Sequence, residues 1–362
     1  MEALGGISVS ADFCAGFFRG KRVLVTGHTG FKGAWLSHIL KRLGAVVTGY
    51  AKEPPTSPSL FELAGVGEGM TSVLGDVRDL GTLLEVFRKS EPEIVFHLAA
   101  QPLVREGYRD PVSTYDTNVM GTVHVLECVR QCPSVRVVVN ITTDKVYENL
   151  EQQQGYRESD RLGGADPYAS SKACAELVAG AYRASFLRER GVGVCTVRAG
   201  NVIGGGDFAP DRILPDCVRA ALCDGELCLR YPHSVRPYQH VIEPLVAYLR
   251  IAERLWTHPL PPALNVGPDM GDCLETLELV RCFERAWGSP IHLKTGAEKA
   301  PHEAGLLRLC CGEIRRTLGW TPVWTAPVAV EKTVEWVRAW QTGADVRDVM
   351  DAQIKEYINL LT

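Results

Sequence analysis

From residue 21 the chain repeats one pattern: a short run rich in β-branched residues, a stretch of helical periodicity, then another such run. KRVLVTG, AVVTGY, PEIVFHLAA and VRVVVNIT read as strands apolar on both faces, and KGAWLSHILKRLG reads as an amphipathic helix between the first two. Strands without polar alternation must be covered on both sides, which crossover helices achieve when each strand returns parallel to the last. The fold class that follows is α/β, a doubly wound parallel sheet. A helix from about Pro167 to Arg190 and the run GVCTVRAG extend it, and ALNVGP near 263–268 reads as one strand returning late. Beyond GNVIGGGDFAPDR the chain is irregular and rich in Pro, Gly and aromatic residues, as expected of a smaller C-terminal substrate-binding lobe built from loops. The expected division is a sheet domain over 20–199, a lobe over 200–342 and a helical tail over 343–362, with residues 1–19 a loosely attached leader.

TGHTGFKG sets Gly27, Gly30 and Gly33, with Phe31 between them, after the first strand and at the opening of a helix. Glycines there permit the tight turn and let the backbone approach a pyrophosphate at the helix amino end, the arrangement of a Rossmann dinucleotide site. The spacing GxxGxxG resembles the short-chain dehydrogenase/reductase variant of this loop. Which dinucleotide it takes is left open by the second strand. Its end carries Tyr50 and Ala51 where an acid for the ribose 2′-OH is expected, and Lys52 follows, which suits a 2′-phosphate. Asp76 and Val77, in LGDVRD after the next short strand, suit an adenine contact.

DPYASSK puts Tyr168 and Lys172 four residues apart at the start of a helix, on one face. An ammonium there is expected to lower the phenol's pKa and make Tyr168 a base towards an alcohol whose carbon yields hydride. TTDKVY, after the strand VRVVVNIT, adds Thr143 as a hydroxyl to hold the substrate oxygen, Asp144 as an acid if burial keeps it protonated, and Lys145 as a base. An acid and a base beside an oxidised carbon are the equipment for eliminating water.

Other chemistries find little support. Lys plus Arg number 39 against 43 Asp plus Glu, so a net charge of -4 favours neither nucleic acid nor an anionic membrane. No apolar run reaches the roughly 18 residues of a membrane span, and MEALGGISVSADFC lacks the build of a signal peptide, so a cytoplasmic protein is expected. The 12 cysteines are scattered and read as reduced. His124, Cys128 and Cys132 would share a helix face, but zinc wants a fourth ligand and tighter spacing, so a packed face and no metal is expected.

Taken together, GKRVLVTGHTGFKGAWL, LAAQPLVR, NITTDKVYEN, DPYASSK, VRAGNVIGGGDFAPDR and RPYQH resemble the CDP-glucose 4,6-dehydratases, extended short-chain dehydrogenase/reductases, over about residues 18–340. The resemblance implies NAD as cofactor, CDP-glucose as substrate, a homodimer or homotetramer, and a Thr-Asp-Lys run where dTDP-glucose dehydratases carry Thr-Asp-Glu. It also implies that Ala99, Ala100, Gln101 and Asn118 line the cofactor, with Tyr168 and Lys172 reaching it, and that Asn201, Arg212, Arg236 and His240 hold the sugar nucleotide. Departures are Cys310, where an acid is expected, and LEQQQGYRE, which lacks expected tryptophans. His302 and Glu303 read equally well as substrate contacts or as a turn cap.

Overall fold

The computed structural model describes residue 14 and residues 16–223, 225–296 and 304–361, so His302 and Glu303 lie outside the described residues. Seven strands form the main sheet: β1 Arg22–Thr26, β2 Val46–Ala51, β3 Thr71–Leu74, β4 Ile94–His97, β5 Val137–Ile141, β6 Gly193–Ala199 and β7 Ala263–Val266. Their order is β7-β6-β5-β4-β1-β2-β3 and every pairing is parallel, as the two-sided apolar runs require. Chain order reverses between β1 and β4, which opens a crevice at their carboxyl ends where a dinucleotide binds in such sheets.

The longer helices are α1 Phe31–Arg42, α2 Leu80–Ser90, α3 Gly121–Gln131, α4 Pro167–Tyr182, α5 Ile213–Cys223, α6 Ile242–Thr257, α7 Thr276–Trp287, α8 Ala326–Gln341 and α9 Val346–Leu360. α4 starts where it does for a local reason: Pro167 fits the first helical position, and the Asp166 carboxylate accepts the Ala169 N–H at 2.9 Å. That cap places Tyr168 in the first turn, over the end of β5.

One hydrophobic core runs from Phe18 through α1, α6 and the lobe to Ile358 on α9. The end of the expected leader is part of it, a correction to the sequence reading. Phe18 is fully buried, and Phe17 meets Trp256 edge-on at 5.6 Å, so aromatic burial outweighs the polar, glycine-rich look of the segment. α9 is anchored as well: Tyr357 is buried and donates to Glu243 on α6, while Asp351 accepts from His38 at 2.7 Å and pairs with Arg42, both on α1.

Among the expected metal-like trio, His124 bonds the Val77 carbonyl at 2.9 Å and Cys128 and Cys132 are buried in the face that α3 packs inward. Every cysteine is a free thiol.

Candidate active site

The glycine loop leaves β1 and turns back within two residues. Gly27 has φ +79, and a Cβ on it would lie 2.8 Å from the Ala99 nitrogen; one on Gly33 would lie 2.0 Å from the Gly27 carbonyl oxygen. Only hydrogen fits at either place. Gly30, the residue before α1, offers no side-chain cap and the first turn holds no acid, so the leading N–H groups of α1 stay available to an anion. Opposite, Ala99 to Gln101 follow β4. Asn118 ties this segment down, accepting the Gln101 N–H at 2.8 Å and donating to the Gln101 carbonyl at 3.1 Å and to Ser171 of α4 at 2.8 Å. Val77 is buried against Gly121, and Asp76 is held below the usual carboxylate range by Arg78, with Lys52 at 4.0 Å. The bare cradle and uncapped helix fit a dinucleotide pyrophosphate. Lys52 is drawn to Asp76 on the same rim.

β5 delivers Thr143, Asp144 and Lys145 to the carboxyl edge of the sheet. Thr143 caps the single turn that follows, accepting the Lys145 N–H at 3.4 Å, and donates its hydroxyl to Asp144 Oδ1 at 3.0 Å. Asp144 is 2% exposed, and burial raises its carboxyl above the usual range despite the cations around it. Tyr168 lines the same chamber as Thr143, and Lys172 donates to the Ile141 carbonyl at 3.1 Å. A cavity of about 330 Å³ is lined by Thr143, Asp144, Lys145 and Tyr168, with Asn201, Arg212 and Arg236 from the lobe side. These are groups for alcohol oxidation and for acid–base elimination, gathered in one chamber.

Two expectations are corrected here. Tyr168 is not acidified: burial pushes it up to about 12 and Asp144 adds to this, with only the Thr143 hydrogen bond and Arg212 opposing. The Lys172 ammonium, itself lowered to about 8 by burial, is turned to the Ile141 carbonyl and does not offset the loss of solvent around the phenol. His240 is not in the chamber. It is fully buried, edge-on to Trp35 at 6.0 Å and Trp324 at 5.0 Å, because the short parallel pairing of Gln239–His240 with Val202–Ile203 turns it into the core.

Six charged chamber residues escaped the sequence reading: Lys32, Arg105, Asp207, Asp211, Asp216 and Arg230. Arg105 and Arg230 both reach Asp211 at the rim, at 2.9 and 3.2 Å, and Arg212 pairs with Asp207 at 3.0 Å. Lys32 and Asp207 lie inside the quoted glycine-rich runs, where the glycines drew attention away from the charges. Cys310 is half-buried beside a second, larger cavity of about 630 Å³. That cavity lies behind β6 and holds none of the predicted site residues. In the tryptophan-poor segment, Tyr156 stacks on Tyr147 at 5.0 Å.

The sequence model of the NAD dependent epimerase/dehydratase family matches residues 23–267. The chain belongs to that family. As in the NAD dependent epimerase/dehydratase family generally, its dinucleotide is NAD. The chain is 46% identical over 353 residues to the CDP-glucose 4,6-dehydratase of Salmonella typhimurium, covering 96% of this chain and 98% of that one. It is 24% identical to the dTDP-glucose 4,6-dehydratase of the same organism over 88% of this chain and 93% of that one. Among solved structures, the UDP-glucose-4-epimerase of Stenotrophomonas maltophila with bound NAD superimposes with a TM-score of 0.79 at 22% identity, covering 89% of this chain and 99% of that one. The dTDP-glucose 4,6-dehydratase of Bacillus anthracis in complex with NAD gives 0.74 at 23%, covering 90% and 99%. These two likenesses bear on the fold alone.

Proposed function

We propose that this chain dehydrates CDP-glucose to CDP-4-dehydro-6-deoxyglucose. The observation that carries the reaction is the gathering of a buried Asp144 and Lys145 with Thr143 and Tyr168 in one chamber; near-full-length identity to a CDP-glucose 4,6-dehydratase supports the choice of nucleotide.

Thr143 holds O4 of the hexose, and Tyr168, in the phenolate form that burial makes the minor one, takes the proton from the C4 hydroxyl. NAD, when bound, provides a reversible two-electron acceptor for C4 that returns its electrons at C6 within the same cycle. Once C4 is a ketone, its neighbouring C5 proton is acidic and Lys145 removes it. The C6–O bond breaks with its electron pair on oxygen, and Asp144 gives that oxygen a proton, so that water leaves. Lys145 then returns a proton to C5, and sugar nucleotide in equals keto-deoxy product plus water out. Asp144 suits this task because burial raises its carboxyl above the usual range and so favours the protonated acid.

In this reading Gly27, Gly30, Phe31, Gly33, Asp76, Val77, Ala99, Ala100, Gln101 and Asn118 hold the cofactor. Asn201, Arg212 and Arg236 hold the sugar nucleotide, within a lobe over 200–342 set on the sheet domain. A guanidinium suits the pyrophosphate through paired hydrogen bonds. Exposed apolar residues on the helical segments flanking α3 and on α4 and its continuation, among them Val112 at 78% and Leu177 at 64%, support self-association through that side.

The test is to mix the purified protein with CDP-, dTDP- and UDP-glucose and follow the keto product by its alkaline absorbance. Turnover of CDP-glucose alone supports the proposal. Interconversion of glucose and galactose without loss of water would replace it with epimerisation.

A further inference from the structure

Lys32 stands second in α1, inside the cofactor loop, yet its side chain lines the substrate chamber with Asp144, Tyr168 and Arg212. Its ammonium forms no hydrogen bond or ion pair with any described residue. The ammonium is half-buried in the chamber, and the neighbouring charges disfavour it, since Arg212 and Lys172 repel it. Two carboxyls attract it, Asp207 and Asp144. Asp207 is already taken by Arg212 at 3.0 Å. Asp144 is not satisfied: Oδ1 receives the Thr143 hydroxyl, while Oδ2 is buried and has no hydrogen-bond partner. The chamber thus contains one orphan carboxyl oxygen and one orphan ammonium, close enough to act on each other and not joined.

We propose that Lys32 is a positioning residue for the elimination: its ammonium stabilises the carboxylate that forms when Asp144 gives its proton to the departing C6 oxygen. This rests on the dehydratase reading above. Burial favours the protonated form of Asp144, which needs no counter-charge, and the two groups are not paired. After it, the proton and the C6–O electron pair have left as water, and a carboxylate stands in a site from which solvent is excluded. A preplaced cation then lowers the barrier without reorganising. Of the other cations acting on Asp144, Lys145 is the one assigned to the C5 proton and Arg236 is bonded to the Val235 and Ala304 carbonyls, while Arg212 is held by Asp207 and Lys172 by the Ile141 carbonyl. Burial, aided by Arg212 and Lys172, lowers Lys32 to about 7, so its charge is present below neutrality and fades above it.

The test compares the NAD-loaded wild type with Lys32→Met and Lys32→Arg on two substrates, CDP-glucose and CDP-6-deoxyglucose, which has a C4 hydroxyl to oxidise and no C6 hydroxyl to lose. Lys32→Met is expected to lower kcat on CDP-glucose roughly 100-fold with KM changed less than about threefold, and to reduce the cofactor with the deoxy sugar at the wild-type rate. Lys32→Arg is expected to restore turnover to within about tenfold and to carry the alkaline limb of the kcat profile to higher pH, because a guanidinium stays charged. Loss of both partial reactions together, a change in KM alone, or kcat within about twofold of wild type would overturn the proposal. Should Lys32→Met not fold, judged by circular dichroism, an alkaline limb unmoved in Lys32→Arg would do the same. If the wild type oxidises the deoxy sugar yet releases no water from CDP-glucose, the dehydratase reading fails and this proposal with it.

Discussion

Arg198→Met is the substitution whose consequences the structure defines best. Arg198 on β6 and Glu176 on α4 form an ion pair at 2.9 Å with side chains 5% and 4% exposed. Glu176 also accepts the Thr196 hydroxyl at 2.6 Å and that of Thr142, the residue before Thr143. Arg198 donates in turn to the Tyr147 hydroxyl at 2.8 Å, and Tyr147 to Asn265 at 2.7 Å. The pair therefore grips both ends of TTDKVY, with the catalytic residues between. Methionine fills most of the volume, so the main loss is electrostatic: a buried carboxylate left with two hydroxyl donors. Breaking such a pair costs about 3–5 kcal/mol, a large part of the roughly 5–15 kcal/mol that holds a domain folded. Removing both charges, in Arg198→Met with Glu176→Gln, leaves no stranded ion and is expected to cost less than about 2 kcal/mol, so the two changes couple strongly. Guanidinium unfolding followed by tryptophan fluorescence and circular dichroism measures the cycle. In the same proteins kcat is expected to fall about 100-fold in the single variant, since displacements near 1 Å at reacting groups have that effect. A cost below about 1 kcal/mol, additive changes, or unaltered kcat would refute the account of a clamped catalytic segment.

Asp144→Asn is expected to lower dehydration by about 10²- to 10⁴-fold while sparing oxidation of CDP-6-deoxyglucose. Because burial raises the Asp144 pKa, the wild-type rate that needs its proton is expected to show a second alkaline limb, told apart from that of Lys32 because it persists in Lys32→Arg and vanishes in Asp144→Asn. Gly33→Ala is expected to abolish NAD binding in titration calorimetry, because its Cβ would sit 2.0 Å from the Gly27 carbonyl oxygen; retained affinity would refute the assigned cradle. Glu243 accepts the Val323 and Trp324 N–H groups at 2.8 and 2.6 Å, yet burial raises it from 4.5 to about 7, which is worth about 3 kcal/mol. For a raised carboxyl, the contribution is complete below the ordinary pKa and is lost as pH rises through about 7. Melting temperature is thus expected to fall between pH 5 and 8 in the wild type relative to Glu243→Gln, and parallel profiles would contradict it.

The sheet was legible because its strands are apolar on both faces, and that pattern has one economical solution. The glycine loop and the start of α4 were legible because local rules govern them: steric room at Gly27 and Gly33, and a cap at Asp166 before Pro167. Direction was not legible. Lys32 and His240 sit in motifs of equal promise, but one enters the chamber and the other goes under two tryptophans, and only the packing of the lobe on the sheet decides which. The Tyr168 pKa escaped for a related reason. Spacing along a helix puts Lys172 one turn away, whereas the Ile141 carbonyl decides where its ammonium points and burial decides the sign.

The bonds from Asp351 back to His38 and Arg42 join the last helix to the first one after the glycine loop. During synthesis, residues 31–42 leave the ribosome long before residue 351 does, so a nascent chain carries its nucleotide cradle without this brace until translation is nearly over. A carboxyl-terminal truncation or a bulky fusion placed there would then act at a distance, loosening the amino-terminal cradle while every residue that touches the sugar remained in place.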